Sequence, residues 1–169
     1  MKSIILTGMM GSGKTTCGKR LAGLLRRRFV DTDAAVVRRA GKPIPEIFEQ
    51  DGEAVFRDWE ARVCRELAGR RDLVVATGGG VILRPENVEA LREAGAVVFL
   101  NRPADLIFES TSLRDRPLAQ NGKAAFLKTF ADREPAYRGS ADVEILEFSS
   151  VDATVRRILE ELQRLEDVL

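Results

Sequence analysis

Histidine is absent from the 169 residues. That excludes zinc sites built on imidazole, histidine-based triads and general-base histidines. Cysteine is nearly absent: Cys17 and Cys64 are too few for a disulfide framework or a metal cluster, and both read as small buried fillers. There is almost no net charge, since 27 Lys and Arg face 26 Asp and Glu. Attraction to a polyanion therefore has no basis, and no nucleic-acid partner is expected. No apolar run approaches the ~20 residues that would span a bilayer, so no membrane association is expected. Pro- or Ser-rich linkers, low-complexity tracts and internal repeats are missing too. What remains is 44% hydrophobic and 31% charged residues, an ordinary globular balance that suits one domain over residues 1–169. The first residues, Met1 to Thr7, lead into a glycine-rich turn without a secretory pattern. The expectation is a cytoplasmic monomer.

Short apolar runs alternate with amphipathic stretches. Ile4 to Thr7, Phe29 to Asp31, Leu73 to Ala76, Ala96 to Leu100 and Val143 to Leu146 read as five strands. Helices are expected over Lys14–Arg28, from near Ala34, over Asp51–Ala68, Pro85–Ala94 and Ala104–Glu109, then toward Arg133, and from about Asp152. Strands separated by helices imply right-handed crossovers and a parallel sheet covered on both faces. Ligands of such a sheet sit outside the carboxyl ends of its strands. Attention therefore falls on Gly8–Thr15, Asp31–Asp33, Gly78–Gly80 and Asn101 onward.

Gly8-Met9-Met10-Gly11-Ser12-Gly13-Lys14-Thr15 matches G-x-x-x-x-G-K-[ST] between a strand and a helix. Its glycines let the backbone curl around an anion with the N–H groups inward, and the helix N-terminus adds partial positive charge. Lys14 can reach the β- and γ-phosphates, and the Thr15 hydroxyl can meet Mg²⁺. The chemistry implied is a nucleoside triphosphate bound with magnesium. No N-K-x-D guanine reader is present; Asn101-Arg102-Pro103-Ala104 is not one.

Asp31-Thr32-Asp33 places two carboxylates at a strand end. One can hold Mg²⁺ through water and the other can accept a hydrogen bond from an attacking hydroxyl; alternatively, one of them only caps the next helix. Glu53, Arg57 and Glu60 share a helix face, either as a solvated ion pair or as an arginine held for an anionic substrate. Gly78-Gly79-Gly80 allows a ligand to approach the backbone closely. Arg114-Asp115-Arg116-Pro117 lies in a polar segment, about 110–123, long enough to form a lid that brings a cation to the transferring phosphoryl, or to be a solvated loop.

Taken in order, these motifs resemble the shikimate kinase family over nearly the whole chain. The discriminating parts are the glycine-rich loop, Asp31-Thr32-Asp33, Ile44 to Phe48 with Gly52-Glu53, and Phe56-Arg57 with Glu60. Ala76 to Val81, Arg116-Pro117-Leu118, and Arg133 with Pro135 and Tyr137 complete the set. The resemblance implies a three-layer α/β fold of the nucleoside-monophosphate-kinase type, with a five-stranded parallel sheet and a mobile lid. It implies transfer of the ATP γ-phosphoryl to the 3-hydroxyl of shikimate, in aromatic amino-acid biosynthesis. On that basis Asp33, Lys14 and Arg116 would be catalytic. Gly11, Ser12, Gly13, Lys14, Thr15, Thr16 and Arg116 would bind ATP. Asp33, Arg57, Gly78, Gly79, Gly80 and Arg133 would bind shikimate, with Glu60 steadying Arg57, while Thr15 and Asp31 would serve Mg²⁺. Some relatives carry an arginine against adenine seven residues before the lid arginine, where this chain has Glu109. Competing expectations are another small-molecule kinase of the gluconate or nucleoside-monophosphate type, or a non-catalytic nucleotide-binding domain.

Overall fold

The computed structural model describes residues 1–110, 122–165 and 168–169. Five strands, β1 (Ser3–Thr7), β2 (Arg28–Asp31), β3 (Leu73–Ala76), β4 (Gly95–Leu100) and β5 (Val143–Ile145), form one parallel sheet in the order β2-β3-β1-β4-β5. Ile4 pairs with Val74 on one side and with Ala96 on the other. Every residue of β1, β3 and β4 is buried, which is why these strands read as unbroken apolar runs rather than as alternating ones.

Helices cover both faces. Ile4, Leu6, Val74, Val98, Leu100 and Ile145 pack on one side against α1 (Lys14–Leu25) and the last helix, α8 (Val151–Leu162). Ile5, Val75 and Val97 face the other way, toward α2 (Thr32–Ala40), α3 (Ile44–Gln50), α4 (Glu53–Ala68) and α5 (Pro85–Ala94). The two cysteines lie one in each layer, buried and free. Burial pushes the Cys17 thiol up to about 11 and the Cys64 thiol up to about 12, so both remain protonated fillers. A further pair, α6 (Ala104–Glu109) and α7 (Lys123–Ser140), closes over the carboxyl end of the sheet through Met9, Ile107 and Phe126.

Several boundaries differ from those expected. α1 stops at Leu25, because Arg26 turns left-handed (φ 54°) and the Arg27 amide bonds back to Ala22 O. α2 starts at Thr32, two residues early, because the Asp31 side chain accepts from the Asp33 and Ala34 amides. α3 is a separate short helix, divided from α4 by Gly52 at φ 88°. α7 runs on past Arg133 and through the exposed Pro135 to Ser140. α8 starts at Val151 because the Ser150 hydroxyl caps it. Among the described residues no helix is long and apolar enough to cross a membrane.

The strand order sets the cleft. β1 lies at the centre, its successor β2 lies two places to one side, and β4 lies on the other side. The chain thus reverses direction across the sheet at β1, and a crevice opens above it.

Candidate active site

The loop that leaves β1 fits an anion. Gly8, Gly11 and Gly13 hold φ of 140°, 79° and 98°, values that a side chain would strain. A Cβ at Gly8 would stand 2.7 Å from Leu100 O and 2.9 Å from Ser12 Oγ. The Lys14 ammonium donates to the carbonyls of Gly8 at 2.7 Å and Met9 at 2.8 Å, so it lies folded over the loop. The first turn of α1 has no side-chain cap and no acidic residue, unlike α2 and α8. The N–H groups at such a helix start suit an outside anion. The Ser12 hydroxyl is buried without a hydrogen-bond partner, as a group awaiting an anion would be. Thr15 and Thr16 sit exposed on that first turn.

From β2, Asp31 takes two roles. Its Oδ1 caps α2, and its Oδ2 accepts from the Thr15 hydroxyl at 3.3 Å. A hydroxyl and a carboxylate are therefore side by side at the mouth of the loop. Thr32, fully buried, accepts the Gly78 amide at 2.9 Å and so ties the end of β2 to the end of β3. Asp33 lies one residue on, half-buried, against Gly78.

The glycine run after β3 is the meeting point. A Cβ at Gly78 would lie 2.5 Å from Asp33 Oδ1 and 3.0 Å from Glu60 Oε1. One at Gly79 would touch Met10 N at 3.4 Å, Tyr137 OH at 3.5 Å and Arg133 Nη1 at 3.7 Å. One at Gly80 would run into the Arg57 guanidinium. Asp33, Arg57, Gly78, Gly79, Gly80 and Arg133 are therefore brought together from α2, α4, α7 and the β3 loop, and Gly79 links them to the phosphate loop.

Electrostatics order this cluster. Arg57 donates to Glu60 at 2.6 Å and to Glu53 at 3.3 Å. Glu60 is 1% exposed and Arg57 14%. Burial drives the Glu60 carboxyl above the usual glutamate value; Arg57 opposes this and Asp33 adds to it. For Arg57, burial works downward, but the carboxylates of Glu60 and Glu53 outweigh it and hold the guanidinium charged. The pair therefore acts as a buried arginine with a fixed carboxylate behind it, not as a solvated surface bridge. Tyr137, one turn beyond Arg133 on α7, donates to Gly79 O, and the charge of Arg133 bears on its hydroxyl. Burial pushes its hydroxyl up to about 12, so it stays a donor.

Two structural roles escape sequence reading. Thr32 is only the middle letter of a motif, and Tyr137 only part of one; their hydroxyls meet backbone atoms of Gly78 and Gly79, which leave no spacing signal. Glu109 stands where an adenine-side arginine is found in some relatives; here it accepts from Lys123 at 3.2 Å and ties α6 to α7. Arg116 and the expected lid over 110–123 lie, from 111 to 121, outside the described residues.

Comparisons with known proteins point to one family. The family model described as Shikimate kinase matches residues 10–163. A shikimate kinase of Nitrosomonas europaea is 43% identical over 96% of this chain and 79% of its own length. One from Nitrobacter winogradskyi is 47% identical over 85% of this chain and 68% of its own. The solved structure of shikimate kinase from Acinetobacter baumannii in complex with shikimate superposes with a TM-score of 0.92, at 38% identity, covering 99% of this chain and 96% of that one.

Proposed function

Because the chain belongs to the shikimate kinase family, we propose that it transfers the γ-phosphoryl of ATP to the 3-hydroxyl of shikimate, releasing ADP and shikimate 3-phosphate. The product feeds chorismate and aromatic amino-acid synthesis. The observation that carries this reading is the ring of groups around Gly78–Gly80, two carboxylates and two guanidiniums, in contact with the phosphate loop at Met10. A small carboxylated polyol needs cations at one end and a proton acceptor at the hydroxyl to be phosphorylated, and the ring supplies both.

In this reading Arg57, backed by Glu60, and Arg133 hold the shikimate carboxylate; planar guanidiniums suit it. Backbone atoms of Gly78, Gly79 and Gly80 meet the ring hydroxyls. Asp33 accepts the proton of the attacking hydroxyl. The new O–P bond forms as the bond from the γ-phosphorus to the bridging oxygen breaks, and ADP departs with that electron pair. Lys14, the α1 amides and Gly11 to Thr16 hold the phosphates, and Lys14 balances the charge spread over the transferring group. Arg116 is proposed to join it from the lid.

Thr15 and Asp31 fit Mg²⁺, which prefers oxygen ligands and keeps several waters. They offer one hydroxyl and one carboxylate, and among the described residues no group of three acidic, cysteine or histidine side chains forms a dedicated cage. Held by these two side chains, the ion would supply positive charge against the phosphates. A cytoplasmic, monomeric enzyme without nucleic-acid or membrane partners completes the proposal.

A coupled ADP-release assay tests it. Turnover is expected with shikimate and not with gluconate or AMP; the reverse would overturn the assignment. Asp33→Asn should lose about 100-fold or more in kcat while ATP affinity stays within a few-fold. Near-normal turnover by that variant would remove Asp33 from the acceptor role.

A further inference from the structure

One cation above the sheet takes no part in the site described so far. Arg102 is the second residue after β4. Its backbone position is fixed from both sides. The amide of Asn101 donates to Ile145 O at 3.1 Å and its side chain to Glu144 at 2.7 Å. Pro103 then caps α6. Ala96, Val98 and Leu100 face the α1 layer. The two-residue period of a strand carries Arg102 to that same side. Its charge is felt there by Cys17, whose sulfur would lie 3.7 Å from a Cβ at Gly13. Arg102 therefore lies on the α1 side of the sheet, within electrostatic reach of Cys17 in the first turns of α1. It is only half-buried, yet its Nε–H is buried and without a partner, and among the described residues no carboxylate pairs with its guanidinium. Partly buried cations and donors are ordinarily paired, and no described residue supplies a partner for this one.

The topology says where such a partner would come from. The acceptor-side groups descend from β2 and β3 or reach over them, on one flank of β1, whereas β4 and β5 lie on the other flank. A triphosphate in the Gly8–Thr15 loop must point its γ end toward Asp33. Its nucleoside end is then directed away, over β4 and β5, where Arg102 stands. A guanidinium offers two things there, a flat face that stacks on a heterocycle and N–H donors at its edge. We propose that Arg102 grips the nucleoside half of the donor, its guanidinium plane lying against the base. This rests on the reading of ATP as the donor.

Titration calorimetry on the full chain without acceptor, with ADP and with inorganic tripolyphosphate as probes, separates base contact from phosphate contact. Arg102→Met keeps the length of the stem and removes the cation and the plane. ADP is expected to bind this variant about tenfold more weakly, with tripolyphosphate affinity within twofold of wild type and the KM for shikimate unchanged. Arg102→Lys, which keeps charge but not the plane, should still lose at least threefold for ADP and serves if the Met variant does not fold. ADP bound as tightly by either variant as by wild type would overturn the proposal. Equal weakening of ADP and tripolyphosphate would overturn it as well, making Arg102 a phosphate ligand or a structural support. Wild-type protein that bound no ADP at all would overturn the donor assignment itself, and this proposal with it.

Discussion

The Glu60 carboxylate stands behind Arg57 with almost no contact with water, and this makes acceptor binding sensitive to pH in a definable direction. Burial raises the Glu60 pKa above the 4.5 of an ordinary glutamate. The folded chain thus takes up this proton more readily than the unfolded one. For stability, the ionised carboxyl is a cost at neutral pH that is relieved as pH falls through the raised value. For function the sign is opposite, because the protonated acid no longer anchors Arg57. The KM for shikimate should therefore begin to rise on acidification at a pH above 4.5, and Glu60→Gln should abolish that inflection. An inflection that persists in Glu60→Gln assigns the titration to another group. Spacing was only partly informative here. Glu53, Arg57 and Glu60 on one helix face allow either a solvated pair or a held arginine. Burial, which spacing does not show, decides for the second. The Tyr137 donation to Gly79 O was not legible, because a hydroxyl meeting a backbone carbonyl imposes no pattern on sequence.

Asp31 shows how one element's end serves the site. As the cap of α2 it replaces a missing turn of hydrogen bonds, and its second oxygen faces Thr15. The two duties separate by substitution. Asp31→Asn keeps a good cap, so urea unfolding should place its stability within about 0.5 kcal/mol of wild type, whereas Asp31→Ala should lose about 1 kcal/mol. Both should raise the Mg²⁺ concentration needed for half-maximal activity. An Asn variant with unaltered Mg²⁺ dependence would confine Asp31 to capping. Helix ends were the least legible part of the chain. α1 ends on a left-handed arginine rather than a glycine, and α7 continues through Pro135 because that residue lies on the exposed face while Arg133 and Tyr137 share the inward one. The central strands β1, β3 and β4 were legible to within a residue, since a parallel strand buried on both faces reads as a nearly continuous apolar run.

Across the whole molecule, function follows from the order in which five strands lie. Sequence could say that strands and helices alternate and that chemistry gathers at the carboxyl ends. It could not say that β3 inserts between β2 and β1. That insertion brings Gly78 against Asp33 and Gly79 against Met10, joining two motifs about 45 residues apart in the chain to a loop near its start. With β4 and β5 on the far flank, the proposed donor and acceptor would enter from opposite sides and meet over β1. The most direct test is a crystal structure of the enzyme with shikimate and a non-hydrolysable ATP analogue. It should place the shikimate carboxylate against Arg57 and Arg133, its 3-hydroxyl within hydrogen-bond reach of Asp33, and the γ-phosphate in line with that oxygen. Shikimate lodged away from Asp33, or turned with its carboxylate toward the phosphate loop, would contradict the account.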